Sequence, residues 1–185
     1  MRRLRFSLPA IALAMGALAV PTTAAAAASC AGAHAAPSTH NAAAVRHATL
    51  CLLNRQRARH GLPRLRQQRA LTRAASAYAR LMVRQGFFDH VSPAGSTMTQ
   101  RIKRTNYLRG VRGWSIGENL AWGAGSAGTP AKIVGAWMRS PGHRRNILDG
   151  SFREIGIGVA AGAPRGAGAS VAGGTYATEF GVRSR

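Results

Sequence analysis

Of the five acidic residues in this 185-residue chain, Glu118 sits where a charge is hardest to place. Its neighbours, Ile116-Gly117 on one side and Asn119-Leu120-Ala121-Trp122 on the other, carry no charge. A carboxylate among apolar and small residues is costly to bury unless something pairs with it. Glu118 therefore reads either as a buried hydrogen-bond acceptor or as a functional group, and its neighbours leave both open. Two histidines are candidate companions. His90 follows Phe87-Phe88-Asp89, and His143 follows Ser140-Pro141-Gly142 at an expected helix end. Each alone is an ordinary surface or structural histidine. Two imidazoles and one carboxylate on loops, brought together, could hold a zinc ion with an open position. Separations of 28 and 25 residues do not by themselves bring them together.

Other chemistry is poorly supported. His34, His40, His47 and His60 fall in a linker or the first helix and form no H-x-x-x-H pair beside an acid. Neither cysteine looks catalytic. The glycine-rich stretch Ala161 to Gly174 joins two expected strands and opens no helix, which argues against phosphate-loop and dinucleotide fingerprints.

The elements that must position these side chains follow from periodicity. Val45, Ala48, Thr49 and Leu52 share a helical face, so a first helix is expected from about Ala43 to His60, stopped by Gly61. Leu71, Ala74, Ala75, Tyr78, Ala79 and Met82 trace the buried face of a second helix. Gly86 ends it and delivers Phe87 to His90 into a loop. Thr97-Met98-Thr99-Gln100 fits a capping box opening a short third helix that carries Ile102. Thr129-Pro130 starts another, with a stripe of Ile133, Val134, Trp137 and Met138, and Pro141-Gly142 ends it. Ile155, Ile157 and Val159 alternate with Gly156, Gly158 and Ala160; Tyr176, Thr178 and Phe180 alternate with Thr175, Ala177 and Glu179. These read as an antiparallel pair of strands. Helices first and a hairpin last suggest an α+β fold, a sheet covered by helices.

The first 28 residues read as an export signal: Arg2, Arg3 and Arg5, then an apolar run from Leu8 to Val20, then small residues with A-x-A sites at Ala24 to Ala28. That run is shorter than the roughly 20 residues a membrane-spanning helix needs, so no transmembrane segment is expected in the mature chain. Residues 29–43 form an Ala/Pro-rich linker, and 44–185 a single domain. In an oxidising compartment Cys30 and Cys51 would form a disulfide, contributing about 3 kcal/mol by loop closure. Two free thiols, or a lipid on Cys30, are the alternatives. The formal charge is +21, and all but two of the basic residues are arginine. Such a surface suits anionic envelope polymers or anionic lipid. An Ala-, Gly- and Arg-rich chain equally reflects genome base composition, and no aromatic-interleaved motif points to specific nucleic-acid binding.

The ordered set of segments Leu52-Leu53-Asn54-Arg55-Gln56-Arg57, Gly61-Leu62-Pro63-Arg64-Leu65, Phe88-Asp89-His90-Val91-Ser92-Pro93, Gly117-Glu118-Asn119-Leu120-Ala121, Ala136-Trp137-Met138-Arg139-Ser140-Pro141-Gly142-His143-Arg144, Arg145-Asn146-Ile147-Leu148, Phe152-Arg153-Glu154-Ile155-Gly156-Ile157-Gly158 and Phe180-Gly181 resembles the CAP superfamily, in its short bacterial SCP-like form. The resemblance implies a three-layer α-β-α sandwich with a small antiparallel sheet. It also implies a cleft holding His90, Glu118 and His143, with Ser140 where animal and plant members carry a second glutamate. In some members the two histidines bind zinc, so His90 and His143 are candidate Zn2+ ligands; no cofactor is certain. Asn54 and Asn119 read as structural amides. The implied function is a secreted, extracellular, monomeric binding module without enzymatic activity. Its expected partners are anionic cell-envelope polymers or a lipid- or sterol-like small ligand. The alternative is a zinc-dependent hydrolase or peptidase using His90, His143 and Glu118.

Overall fold

A computed structural model describes residues 29–164 and 172–184. Residues 1–28, where the sequence reading places an export signal, and residues 165–171 and 185 lie outside the described residues. The elements are α1 (Ala42–Arg59), β1 (Arg66–Gln67), α2 (Arg69–Gln85), α3 (Met98–Lys103), β2 (Gly113–Ala124), α4 (Pro130–Arg139), α5 (Pro141–Leu148), β3 (Glu154–Ala161) and β4 (Gly173–Ser184). The strands form one sheet in the order β1-β3-β4-β2. β3 and β2 both run antiparallel to β4, while the two-residue β1 adds a parallel edge to β3.

The sheet is the middle of three layers. On one face Val45 and Leu53 of α1, Trp137 of α4 and Ile147 of α5 pack on Ile155, Ile157, Tyr176 and Phe180. On the other, Ala75, Tyr78, Ala79 and Met82 of α2 pack on Leu120, Ala160 and Ala177. The Ile/Gly alternation of β3 reflects this: its large side chains face the α1–α4–α5 layer, and its glycines let the α2 backbone lie on the sheet. A Cβ on Gly158 would stand 2.1 Å from the Ala75 carbonyl oxygen, and one on Gly156 2.0 Å from the Leu71 carbonyl carbon. That approach is closed to any other residue.

The helix ends obey their local signals. Gly86 caps α2 in the left-handed conformation (φ 65°), and Thr97 and Gln100 form the reciprocal capping box of α3. Three details differ from the sequence reading. Leu53, not Leu52, completes the core face of α1. Pro141 ends α4 only by starting α5, which puts His143 in the first turn of a helix. Glu118 lies on a strand, β2, whose alternation of Trp114, Ile116, Glu118, Leu120 and Trp122 is visible in the sequence but interrupted by a carboxylate. The Cys30–Cys51 disulfide is formed and ties the segment before α1 to that helix. No helix among the described residues is long and apolar enough to cross a membrane.

Candidate functional site

Three elements converge on Glu118. The turn after α2 carries His90, and the Tyr78 hydroxyl fixes that turn by donating to the Asp89 carbonyl at 2.6 Å. The capping box sets the direction of α3, which carries Arg101. β2 supplies Glu118 itself, with a side chain only 3% exposed. His90 Nδ1 meets Glu118 Oε1 at 2.7 Å, and Arg101 donates to Oε2 at 2.5 Å. Arg101 also donates to the carbonyls of His90 (3.0 Å) and Ser96 (2.8 Å), and its guanidinium lies 3.3 Å from the centroid of the Tyr78 ring. Both oxygens of Glu118 are thus engaged by cationic or cation-forming donors, which answers the desolvation of its charge.

A second carboxyl lies beside it. Glu179 of β4 is the cross-strand partner of Glu118 and has no solvent exposure. Neither of its oxygens has a hydrogen-bond partner among the described residues. Burial, reinforced by the negative charge of Glu118, pushes its pKa well above the carboxylate range, with Arg101 opposing. One cation stands by two carboxyls, a balance that favours the protonated form of Glu179.

His143 is approached from the other layer. Its Nδ1 lies 2.8 Å from Ser140 Oγ, and its carbonyl accepts from Asn119 Nδ2 at 3.0 Å. Asn146 Nδ2 donates to Asn119 Oδ1 (2.8 Å) and to the Glu118 carbonyl (3.1 Å). These amides tie α5 to β2, joining the backbone that carries His143 to the one that carries Glu118. Asn54, also buried, exchanges two bonds with the backbone of Leu65.

The two imidazoles differ in basicity. The bond to Glu118 raises the His90 pKa above 6.5, against an opposing effect of burial. Burial lowers that of His143, and the His90 charge lowers it further, so the two rings sense each other. In an NMR titration His90 should titrate above 6.5 and His143 below it, and Glu118→Gln should bring His90 down. An unmoved His90 would refute the pairing. The sign for stability follows: the His90–Glu118 contribution is complete below the unfolded value and fades as pH rises through the folded one. With a His90 side chain 58% exposed, that contribution is small.

An open hollow of about 330 Å³ lies against this cluster, lined by His90, Val91, Thr97, Met98, Thr99 and Glu118. Among the described residues no group of three or more His, Cys, Asp or Glu side chains is placed to hold a metal ion. Sequence reasoning missed Arg101, Tyr78 and Glu179. Arg101 looked like one more surface arginine. Glu179 was visible only through strand register, since nothing in its own strand says that it lies opposite Glu118.

Comparison with known proteins gives a consistent result. The model of the cysteine-rich secretory protein family, CAP, matches residues 50–176. The uncharacterized protein YkwD of Bacillus subtilis is 36% identical over 107 residues, covering 58% of this chain and 39% of that protein. The uncharacterized membrane protein YlbC of the same organism is 29% identical over 110 residues, covering 60% and 30% respectively. The match thus spans less than half the length of either relative. Among solved structures, an extracellular protein containing an SCP domain from Bacillus anthracis aligns with TM-score 0.58 at 24% identity, over 80% of this chain and 45% of that one. An outer surface protein from Borrelia burgdorferi aligns with TM-score 0.57 at 22% identity, over 71% and 87%. A cysteine-rich secretory protein from Staphylococcus aureus gives 0.56 at 14%, over 80% and 40%. Identities this low speak to the fold.

Proposed function

The chain belongs to the cysteine-rich secretory protein family, CAP, and on that premise we propose that it is a non-enzymatic binding module working outside the cell, at or near the envelope. Its cleft, built from His90, Glu118, Ser140 and His143, takes a small ligand or a metal ion. The observation that carries this reading is the double engagement of Glu118. A general base needs a carboxylate lone pair within reach of water, whereas each oxygen of Glu118 already accepts one bond, from His90 or Arg101, and its side chain is only 3% exposed. A catalytic zinc takes three protein ligands and keeps one open position; two imidazoles fall one short, and Glu118 is committed elsewhere. The hydrolase reading loses its base and its third ligand together.

The donor set fits a two-histidine metal site. The bond from Nδ1 of His90 to Glu118 leaves its Nε2 as the lone-pair donor, and His143 offers the same in the tautomer whose Nδ1–H donates to Ser140 Oγ. Outer partners of this kind orient metal-binding imidazoles. Zinc held there would supply a Lewis-acidic centre for an anionic ligand. The arginine-rich surface supports attraction to anionic envelope polymers or lipid, and the extracellular or surface character named for the Bacillus anthracis and Borrelia proteins supports the location. Calorimetric titration with zinc chloride tests the cleft. The native protein should show one saturable site, His143→Ala should lose it, and Ser140→Ala should weaken it about tenfold. Equal heats for the native protein and His143→Ala would remove the metal site.

A further inference from the structure

Along the outer flank of α2 a groove of about 570 Å³ opens between that helix and residues 92–106. Its size is in the range of sites that enclose a small organic ligand or a few residues of peptide. Ala77, Tyr78 and Leu81 form an apolar floor, and Arg73, Arg84 and Arg104 stand around it. The far wall is held by its own bonds: the Ser92 and Ser96 backbones pair at 3.1 Å, and the Ser96 N–H reaches Ser92 Oγ at 3.0 Å. It shares no lining residue with the hollow against Glu118, and Tyr78 and Arg101 form its boundary towards that carboxylate.

The charge of this groove has no internal answer. No acidic side chain lines it. α2 contains no acid from Arg69 to Gln85, so no partner at i ± 4 neutralises its arginines. Arg73 donates to the Thr105 carbonyl (3.0 Å) and Arg104 to Ser96 Oγ (3.1 Å), which leaves further donors on each guanidinium. Arg84 makes no hydrogen bond or ion pair among the described residues. The cations are also divided between two ends. Arg73 and Arg84 lie eleven residues apart on one helix, about 16 Å at 1.5 Å per residue, with the apolar floor between them. A ligand with one anionic head would use one end only. An extended chain covers that distance in about five residues.

We propose that this groove docks an extended acidic peptide segment, with carboxylates at both ends of a short apolar stretch. The acidic ends meet Arg84 on one side and Arg73 with Arg104 on the other, and the apolar side chains cover Ala77, Tyr78 and Leu81. The probe is a blocked pentapeptide with aspartate at each end and Leu-Ala-Leu between, titrated into the 15N-labelled full chain at low salt. Amide shifts should be confined to α2 and residues 92–106 and should weaken as salt rises. The double substitution Arg73→Glu/Arg84→Glu should reduce affinity at least about tenfold, as should replacing both aspartates by asparagine. Because both arginines are exposed, the variant should keep the native melting temperature; should it not, Ala77→Trp, which fills the floor, must abolish the shifts instead. Dodecanoate is the competing probe. The proposal is overturned if the peptide causes no shifts at millimolar concentration, if its affinity survives the charge reversal or the filled floor, or if dodecanoate binds in the groove and the peptide does not.

Discussion

Replacing Arg57 by methionine should destabilise the protein by about 3–5 kcal/mol, a loss typical of breaking a buried charged network. Arg57 is fully buried on α1. Its guanidinium donates to four carbonyls: Pro63 (2.8 Å), Ile147 (2.8 Å), Asp149 (2.9 Å) and Phe152 (3.1 Å). Burial lowers its pKa from the usual value, and Arg153 lowers it further against the pull of Asp149. The four carbonyls are what make the buried cation tolerable. Methionine can fill the volume but satisfies none of them, and each buried carbonyl left unpaired costs about 1–3 kcal/mol. Arg57→Lys should recover little, because an ammonium cannot span the planar fork that reaches four acceptors. The same carbonyls bracket the end of α5, so the loss should also reach the site: His143 should drift towards its ordinary pKa in whatever folded population survives. Urea denaturation measures the first effect and NMR titration the second. A loss under about 1 kcal/mol for Arg57→Met would contradict the role.

Arg101→Met should be nearly as damaging at pH 7, about 3–5 kcal/mol, for a different reason. The side chain is 8% exposed and is the cation beside both Glu118 and Glu179. Without it the Glu118 charge stays buried against a neighbouring carboxyl, and the carbonyls of His90 and Ser96 lose a donor. The deficit should shrink as pH falls, because acid neutralises the buried charge that Arg101 no longer pairs. Glu179→Gln should behave in the opposite way. A carboxyl whose folded pKa is raised lowers stability progressively as pH climbs above its unfolded value. A neutral amide escapes that loss, so the variant should match or exceed the native protein at pH 7, with the difference vanishing in acid. Melting curves from pH 4 to 8 separate the cases. Substantial destabilisation by Glu179→Gln at neutral pH would mean that Glu179 is ionised and paired with Arg101.

Much of the frame was legible because its signals are local. The capping box at Thr97 and Gln100, the left-handed stop at Gly86 and the Thr129-Pro130 start each act within four residues of chain. The α2 stripe repeats over three turns. β2 was harder to see. A strand with a carboxylate in its middle violates the expected pattern, and the pattern holds only because Arg101, 17 residues earlier in the chain, folds back onto it. His143 shifted from a helix end to a helix start for a similar reason: a proline that stops one helix is well shaped to begin the next.

By itself the sequence determined the family frame, the disulfide, most helix limits and three of the side chains worth examining, since each rests on short-range periodicity or on an ordered set of motifs. Only the tertiary structure decided what those side chains touch. The register of β2 on β4 sets Glu179 beside Glu118, and the packing of α3 brings in Arg101. Whether a buried carboxylate is reactive or restrained depends on these neighbours, and they are contributed by elements far apart in the chain.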